Sequence, residues 1–349
     1  MSQALVESLR SRGLIGSANA RVTPLTGGVS SQILLVEDGA RSFVLKRALP
    51  KLQVRDDWFA DVSRNRYEQE YLRYVAAFLP HAVPRVLHSD DEQGFFTMEY
   101  LGAGYANWKK LLLDGRADAS HAARAGAILG AIHHRSWNDP QARRSFDTTE
   151  NFYQLRIEPY LVTTGQRHPA LRRYFEQEAA RIAQTRLCLV HGDFSPKNIL
   201  IGSGGVSDGR MVVLDCEVAW FGDPAFDLAF LFNHFLLKAL VHRQSPQPLL
   251  ALVDAAWAEY ASQMSPHALE GLERRVAHLL PMLLLARVDG KSPVEYLHED
   301  GKDLVRGFVA DLLPRDPQSI ESVIRAWAER LATSPANGPQ RLFVPASGS

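Results

Sequence analysis

The first hundred residues alternate between short apolar runs and polar, Gly-rich breaks, a pattern typical of antiparallel strands. A segment at about residues 61–78 differs, because its apolar positions recur three and four residues apart and therefore predict a helix. Strands are predicted on both sides of this helix, at Arg21–Leu25, Gln32–Glu37, Ser42–Lys46, Val83–Leu87 and Phe95–Leu101. We expect a small antiparallel sheet with one helix in this region.

Helical periodicity dominates from Ser120 onward, so the architecture changes soon after Gly102. Three short apolar runs interrupt it and predict buried strands at Leu187–Val190, Asn198–Ile201 and Met211–Leu214. Long helices follow to about Leu331, and then a tail rich in Pro, Ala, Ser and Gly that we expect to be mobile. The predicted domains are an N-terminal lobe of residues 1–101, a C-terminal lobe of residues 102–332 and a tail of residues 333–349.

Composition and charge narrow the function classes. The chain has 349 residues, of which 46% are hydrophobic and 22% charged, so it can bury a sizeable core. Lys plus Arg and Asp plus Glu both total 39, which leaves no net field for attracting nucleic acid or an anionic membrane. The N-terminus predicts an amphipathic helix rather than a signal peptide, and two cysteines in apolar runs suit a reduced compartment. We expect a cytoplasmic protein that binds neither nucleic acid nor membrane; its oligomeric state stays open.

The segment His191-Gly192-Asp193-Phe194-Ser195-Pro196-Lys197-Asn198 is followed, after a strand, by Asp215-Cys216-Glu217. Phosphoryl transfer needs a carboxylate that orients and deprotonates the attacking hydroxyl, and oxygen ligands that hold Mg²⁺. Asp193 suits the first role, and Asn198 and Asp215 suit the second. Glu217 lies on the same side as Asp215 if the chain stays extended, so it offers a further metal ligand. The alternative is that these are ordinary turn and capping residues.

This segment resembles the catalytic loop and metal motif of the aminoglycoside phosphotransferase and choline kinase superfamily, relatives of protein kinases. The match includes His191, Asp193, Asn198 and Asp215, and the stretch 220–229 also resembles the family, in which a Gly-Asp-Pro turn and a following Asp brace the catalytic loop. The resemblance implies an α+β, bilobal protein-kinase-like fold with a small antiparallel-sheet N-lobe and a mainly helical C-lobe. It also implies an enzyme that uses ATP, or another nucleoside triphosphate, and Mg²⁺ to phosphorylate a hydroxyl of a small molecule.

The resemblance further implies that the N-terminal lobe holds the nucleotide. Gly27, Gly28 and Ser30 lie between two predicted strands, where backbone N–H groups and a hydroxyl can cover phosphates; a plain hairpin turn is the alternative. Lys46 occupies the position of the kinase phosphate-binding lysine on the third strand. The segment Glu99-Tyr100-Leu101 resembles the hinge, whose backbone meets the adenine edge, although an ordinary strand end would read the same way.

A helix carboxylate pairs with that lysine in the family, and two glutamates compete for the role. Glu70 is preferred over Glu68, because Glu70 adjoins the apolar residues Tyr71 and Leu72, which must face the sheet.

The acceptor and the branch of the superfamily stay open. Lys46-Arg47-Ala48-Leu49-Pro50 and Asp215-Cys216-Glu217 are similar to the methylthioribose kinase branch, whereas Ser195–Asn198 and Gly222–Pro224 follow the aminoglycoside phosphotransferases. A polar break at residues 287–296 is a candidate wall of the acceptor site, or else a solvated loop. Sugars, nucleosides, amino alcohols and hydroxylated antibiotics are all candidate acceptors. The absence of net negative charge argues against a polycationic acceptor, although a local acidic patch could bind one.

Two other function classes compete with a small-molecule kinase. A protein kinase usually carries Asp-Phe-Gly and Ala-Pro-Glu signatures. This chain has Asp215-Cys216-Glu217 in the first place and no Ala-Pro-Glu after it. A non-catalytic nucleotide-binding scaffold is expected to have lost Lys46, Asp193, Asn198 or Asp215, and all four are present.

Overall fold

The structure is a computed structural model that describes residues 3–16, 20–25, 30–50, 61–204 and 209–333. Contacts divide the chain into two compact units, Met1–Gly104 and Tyr105–Ser349. The predicted turn at Gly27 and Gly28, and residues 334–349 of the predicted tail, lie outside the described residues.

The first unit contains an antiparallel sheet with strand order β1-β2-β3-β5-β4. Its strands are β1 (Arg21–Pro24), β2 (Ser31–Asp38), β3 (Arg41–Ala48), β4 (Val86–Asp90) and β5 (Phe95–Glu99). Lys46 on the central strand β3 lies opposite Ile33 on β2 and Phe96 on β5. The phosphate-binding candidate is therefore held between two apolar neighbours on adjacent strands.

Two helices complete the described part of this unit. Helix α1 (Gln3–Ser11) contributes Leu9 to an apolar cluster with the sheet residues Val22, Leu34, Val36, Phe43, Leu45 and Phe95. Helix α2 (Arg64–Ala76) contacts β3, β4 and β5 and buries Tyr71, Leu72 and Val75. The positions 68, 72 and 75 share one stripe of α2, because residues three and four apart lie on the same face of a helix.

The second unit is mainly helical. Its helices are α3 (Trp108–Leu113), α4 (Ala119–Arg135), α5 (Pro140–Ser145), α6 (Thr149–Phe152), α7 (Thr163–Arg167), α8 (Arg172–Gln184), α9 (Ala225–Val241), α10 (Gln247–Gln263), α11 (Pro266–Leu269), α12 (Leu272–Asp289), α13 (Glu299–Leu312) and α14 (Ile320–Thr333). A π-helix, Tyr153–Val162, joins α6 to α7. The short strands are β6 (Tyr105–Asn107), β7 (Cys188–Val190), β8 (Ile199–Gly202), β9 (Met211–Val213) and β10 (Trp220–Gly222), which pair as β6-β8-β9 and β10-β7.

Helix α9 is the centre of the second unit, because all of its residues are buried. Helices α10, α12 and α14 pack against it, and Trp327 of α14 donates its indole N–H to the carbonyl of Leu236 at 3.1 Å. The expectation that this apolar run is a core helix is confirmed. No helix in the described part of the chain is long and apolar enough to cross a membrane.

The predicted fold class, a small antiparallel sheet followed by a mainly helical region, is confirmed. Strand β4 begins three residues later than predicted, at Val86, because Pro84 lacks the N–H that a paired strand needs. Strands β6 and β10 are missing from the prediction; each forms by pairing with a strand far away in the sequence, β8 and β7 respectively. The π-helix is also missing from it, and Pro159 inside that segment reads from sequence as a helix breaker.

Helices α4 and α10 pack closely enough to require glycine. A Cβ on Gly126 of α4 would lie 2.0 Å from the carbonyl oxygen of Ala256 on α10. A Cβ on Gly130, one turn later, would lie 2.9 Å from the carbonyl oxygen of Tyr260. The two backbones therefore touch, and no side chain fits between them.

We predict that Gly126→Ala lowers the free energy of unfolding by about 1–3 kcal/mol, the usual cost of overpacking, although alanine is the better helix former. The matched control is Gly301→Ala in α13, where the nearest atom would lie 3.5 Å from the new Cβ, in ordinary contact. That variant should gain about 0.5–1 kcal/mol from helix propensity. Urea denaturation followed by circular dichroism measures both, and equal effects at the two sites would contradict the packing argument.

Candidate active site

The loop between β7 and β8 carries the most polar side chains of the predicted motif. Gly192 at its start has φ +77°, and a Cβ there would lie 2.8 Å from the carbonyl oxygen of Val218. Both the left-handed conformation and the close approach require glycine. The chain therefore turns sharply after β7 and presents Asp193 next.

Asp227, at the start of the buried helix α9, holds this turn. Its Oδ2 accepts the backbone N–H of His191 at 2.7 Å, and its Oδ1 accepts that of Gly192 at 2.8 Å. His133 of α4 lies 3.3 Å from Oδ2. A buried carboxylate needs such donors, since an unsatisfied one costs several kcal/mol. The loop is thereby fixed to the core helix of the unit.

His191 links the loop to the strand that precedes Asp215. Burial lowers the pKa of His191, despite the carboxylates of Asp227, Asp193 and Asp215 nearby, so the ring is neutral. Its Nδ1 accepts the backbone N–H of Asp193 at 3.1 Å, and its Nε2 donates to the carbonyl of Leu214 at 3.1 Å. The two hydrogen bonds define a single tautomer, with the proton on Nε2.

Asp193 is buried and lies between two cations. Its Oδ2 is 3.1 Å from a guanidinium nitrogen of Arg156 and 3.3 Å from the ammonium of Lys197. Among the described residues, none donates a hydrogen bond to Oδ1. One carboxylate oxygen is thus held, and the other is available to a hydroxyl.

Arg156 comes from the π-helix and contacts the loop twice. Besides the carboxylate of Asp193, it binds the carbonyl of Gly192 through Nε. Burial acts to lower the pKa of Arg156, but the charges of Asp193, Tyr160, Glu217 and Asp215 outweigh it and raise that pKa. Sequence reasoning missed Arg156; its one signal is a charged residue between Leu155 and Ile157 in a buried segment.

The predicted metal ligands lie close together. The Asn198 side chain donates to the carbonyl of Asp193 at 3.0 Å, and the backbone N–H of Leu214 donates to the carbonyl of Asn198 at 2.8 Å. Asp215 follows Leu214 directly. Carboxylate oxygens of Asp215 and Glu217 lie within 4.8 Å of each other.

The route of the chain through these ligands differs from the expectation. The expectation that Glu217 lies on the same side as Asp215 depended on an extended chain, but Asp215 has φ +61° and the backbone turns at Glu217. The two carboxylates approach each other because the backbone turns between them. They do not lie on the same side of an extended strand. A left-handed conformation is uncommon for a residue other than glycine, and aspartate is among the residues that tolerate it best.

Lys46 pairs with Glu68, so the preference for Glu70 is wrong. The Lys46 ammonium lies 2.8 Å from Glu68 Oε1, and both side chains are buried. Glu70 is 35% exposed and lies 3.5 Å from Arg66. Adjacency to Tyr71 misleads because consecutive helix residues point about 100° apart, whereas Glu68 shares the sheet-facing stripe with Leu72 and Val75.

The other N-terminal candidates occupy the ends of the sheet. Ser30 is buried, and its carbonyl accepts hydrogen bonds from Leu49 at 2.9 Å and from Arg64 at 2.6 Å. Glu99 ends β5 and bonds to Arg85 at 2.9 Å, and Tyr100 and Leu101 follow it. Nucleotide binding by these residues stays a prediction.

The fold and the loop together define a kinase-like protein with a phosphotransferase motif. The chain matches the phosphotransferase enzyme family over residues 21–264, more than half of its length, and it belongs to that family. Among curated proteins, it is 25% identical over 252 residues to methylthioribose kinase of Geobacillus sp. (strain WCH70), which covers 64% of this chain and 62% of that protein. It is 26% identical over 263 residues to methylthioribose kinase of Yersinia pseudotuberculosis serotype O:1b (strain IP 31758), covering 67% of this chain. The matched region spans 62% and 63% of the length of these two relatives.

Solved structures share the fold at low sequence identity. An amicoumacin kinase in complex with AMP-PNP and Ca²⁺ superposes with a TM-score of 0.54 at 13% identity, covering 92% of this chain and 96% of that one. A choline/ethanolamine kinase family protein from Mesorhizobium loti superposes with a TM-score of 0.51 at 15% identity, covering 93% and 99%. These likenesses confirm the predicted kinase-like fold, and the family match over residues 21–264 confirms the predicted superfamily.

The two glutamates of α2 give a direct test of the Lys46 pairing. Glu68→Gln leaves a buried ammonium without its carboxylate, so it should cost about 3–5 kcal/mol of unfolding free energy. Glu70→Gln removes an exposed i,i+4 pair and should change stability by less than about 0.5 kcal/mol. Urea titration of both variants decides the matter, and a larger loss for Glu70→Gln would reverse the assignment.

Proposed function

We propose that the protein is an ATP-dependent kinase that transfers the γ-phosphoryl group to a hydroxyl of a small molecule. One observation carries the proposal: a single loop, bound to the core by Asp227, holds Asp193 beside Asn198 and next to Asp215. This arrangement brings a base and oxygen ligands together, as phosphoryl transfer requires. Asp193 and Asn198 lie on one loop, and the backbone hydrogen bond from Leu214 to Asn198 brings Asp215 to it. Membership of the phosphotransferase family and the kinase names of the relatives support it.

Asp193 is the base in this proposal. Its Oδ1 accepts the hydrogen bond of the acceptor hydroxyl and takes its proton as the transfer proceeds. Arg156 and Lys197 hold Oδ2, so the carboxylate is fixed before the acceptor arrives. Preorganisation of this kind lowers the barrier, since no group has to reorient during the reaction.

Asn198, Asp215 and Glu217 are the proposed ligands of Mg²⁺. Their amide and carboxylate oxygens are the donors that Mg²⁺ prefers, and the two carboxylates lie within 4.8 Å, so the set fits this ion. When bound, Mg²⁺ would neutralise negative charge on the phosphate oxygens. Lys46, held by Glu68, is the proposed contact to the nucleotide phosphates, with Gly27, Gly28 and Ser30 beside them.

A protein kinase is the weaker candidate. It shares the proposed chemistry, but the chain lacks Ala-Pro-Glu and has cysteine where Asp-Phe-Gly has phenylalanine. Screening for ADP formation with small hydroxylated compounds and with mixed protein substrates separates the two, and phosphorus NMR of the product identifies the phosphorylated hydroxyl.

We predict that Asp193→Asn reduces kcat by roughly 10²–10⁴, the usual range for loss of a general base, and leaves nucleotide affinity near that of the wild type. Asparagine keeps the shape of the side chain but cannot take the proton. Asp303→Asn is the control, since Asp303 is exposed and binds only Arg306 on α13 among the described residues. Stopped-time assays of ADP and calorimetry of nucleotide binding measure the two quantities; full turnover by Asp193→Asn would refute the role.

Metal binding gives a second prediction. Asp215→Asn should abolish magnesium-dependent turnover, whereas Glu217→Gln should raise the Mg²⁺ concentration that gives half-maximal rate about tenfold, the scale for losing a supporting ligand interaction. A magnesium titration at fixed ATP compares the two variants with the wild type. An unchanged titration for Asp215→Asn would remove it from the metal site.

A further inference from the structure

Arg287 and Lys238 of the second unit have no carboxylate partner among the described residues. Arg287 of α12 donates to the hydroxyl of Tyr160 at 3.1 Å and to the carbonyl and hydroxyl of Ser292 at 2.5 and 3.0 Å, all of them neutral groups. Lys238 of α9 is fully buried and, within the described part of the chain, donates only to the carbonyl of His234, one turn earlier on its own helix, at 3.3 Å. No carboxylate of the described residues lies within ion-pair distance of either.

The other cations around these two each have a carboxylate partner. Lys109 pairs with Glu295, and Lys291 pairs with Glu158 at 2.8 Å. Arg156 and Lys197 share Asp193. Arg287 and Lys238 are therefore a surplus of positive charge rather than members of a balanced network.

The two surplus cations lie in one region. Burial, together with the charges of Lys109 and Arg287, lowers the pKa of Lys238 to about 7, while Glu295 acts in the opposite direction. His234 is buried as well, and its burial, together with the charges of Lys238 and Arg287, lowers its pKa well below the usual range. The charges of Lys109, Lys238 and Arg287 therefore act on the same small region. An anion placed there would be attracted by all three.

The ring of Tyr160 connects this region to the surroundings of Asp193. The guanidinium carbon of Arg287 lies 5.9 Å from the centroid of Tyr160, and that of Arg156 lies 5.7 Å from it. Arg156 in turn holds the Asp193 carboxylate. The Tyr160 ring thus lies close both to Arg287 and to the arginine that holds Asp193.

Unmatched polar atoms also mark this region. The Tyr296 hydroxyl and the Nε of Arg287 are buried and lack a hydrogen-bond partner among the described residues. The Tyr296 ring lies 5.3 Å from the Lys238 ammonium and 5.6 Å from that of Lys109. Buried donors without partners are rare in folded proteins, and a ligand commonly satisfies those that occur.

We infer that the acceptor carries an acidic group, a carboxylate or a phosphate, which Arg287 binds with Lys238 and Tyr296 beside it while the hydroxyl of the same molecule lies at Asp193. This inference rests on the proposed kinase function and names its substrate class. The planar guanidinium matches either oxyanion with two hydrogen bonds. An amine-bearing acceptor is repelled by the same charges, and a neutral one leaves them unmatched.

The buried charge of Lys238, unpaired within the described part of the chain, costs stability. An uncompensated buried cation opposes folding, and an apolar residue of similar volume in its place usually stabilises a protein. A fully buried lysine inside the most apolar helix of the unit thus reduces stability, and an anionic ligand supplies the missing partner. Binding of that ligand pairs the buried charge and so stabilises the folded protein.

Matched acceptors test the inference. D-glycerate, D-gluconate and D-ribose 5-phosphate are compared with glycerol, D-glucose and D-ribose, and with the amines ethanolamine and kanamycin, by ADP formation and phosphorus NMR. We expect phosphorylation of acids, with kcat/KM at least about tenfold above the neutral partner, as one charge-assisted hydrogen bond provides. Preference for glycerate and gluconate indicates a carboxylate, and preference for ribose 5-phosphate indicates a phosphate. Turnover of the neutral or amine compounds alone overturns the inference and leaves the proposed function intact, whereas no turnover of any compound counts against the proposed function itself.

Variants then test the two cations. Arg287→Gln should raise KM for the acid at least about tenfold with little change in kcat, while Arg274→Gln, an exposed arginine of the same helix, should change neither. Lys238→Met should raise KM for the acid and also raise the melting temperature, because methionine removes the buried charge and keeps the volume. A melting temperature that rises while KM for the acid stays unchanged would exclude Lys238 from the site, and an unchanged KM in Arg287→Gln would overturn the inference.

Discussion

The active-site candidate depends on one buried carboxylate. Asp227 uses both of its oxygens to accept the backbone N–H groups of His191 and Gly192, so the sharp turn after β7 is fixed to helix α9. Helix α9 is buried on every side, so the turn is fixed to the core of the second unit. The position of Asp193 follows from this bond, because it is the next residue along the chain. A surface loop would not hold a carboxylate with the same precision.

The fold was largely predictable because its signals are local. Each signal appears within a short window of the sequence: the alternation of the strands, the helical period of α2 and the apolar run of α9. The resemblance to a known superfamily then predicted how these elements are arranged. Strands β6 and β10 lack such a signal, since their pairing with distant strands decides their conformation. The residues of the motif were predictable for a similar reason, as they occupy two short segments.

The partners of the motif residues were not predictable, since they come from distant parts of the chain. Two helices, α7 and α8, separate Arg156 from Asp193 in the sequence, and the two residues meet because the π-helix packs beside the loop. The choice between Glu68 and Glu70 depends on the angle at which α2 meets the sheet, and sequence adjacency carries no information about that angle. The charge balance around Lys238 and Arg287 likewise appears only when side chains from separate helices are placed together.

The backbone of Asp215 has a consequence for the evolution of the protein. A left-handed aspartate costs on the order of 1 kcal/mol relative to glycine, which adopts φ +61° without strain. Selection for thermal stability alone would therefore favour glycine at this position, and the resulting protein would have no carboxylate there. A lineage under heat stress that no longer needed the proposed magnesium site would be expected to lose this residue early. The persistence of an acidic side chain at a glycine-preferring position is then a marker, readable in any set of natural variants, of continued demand for the chemistry.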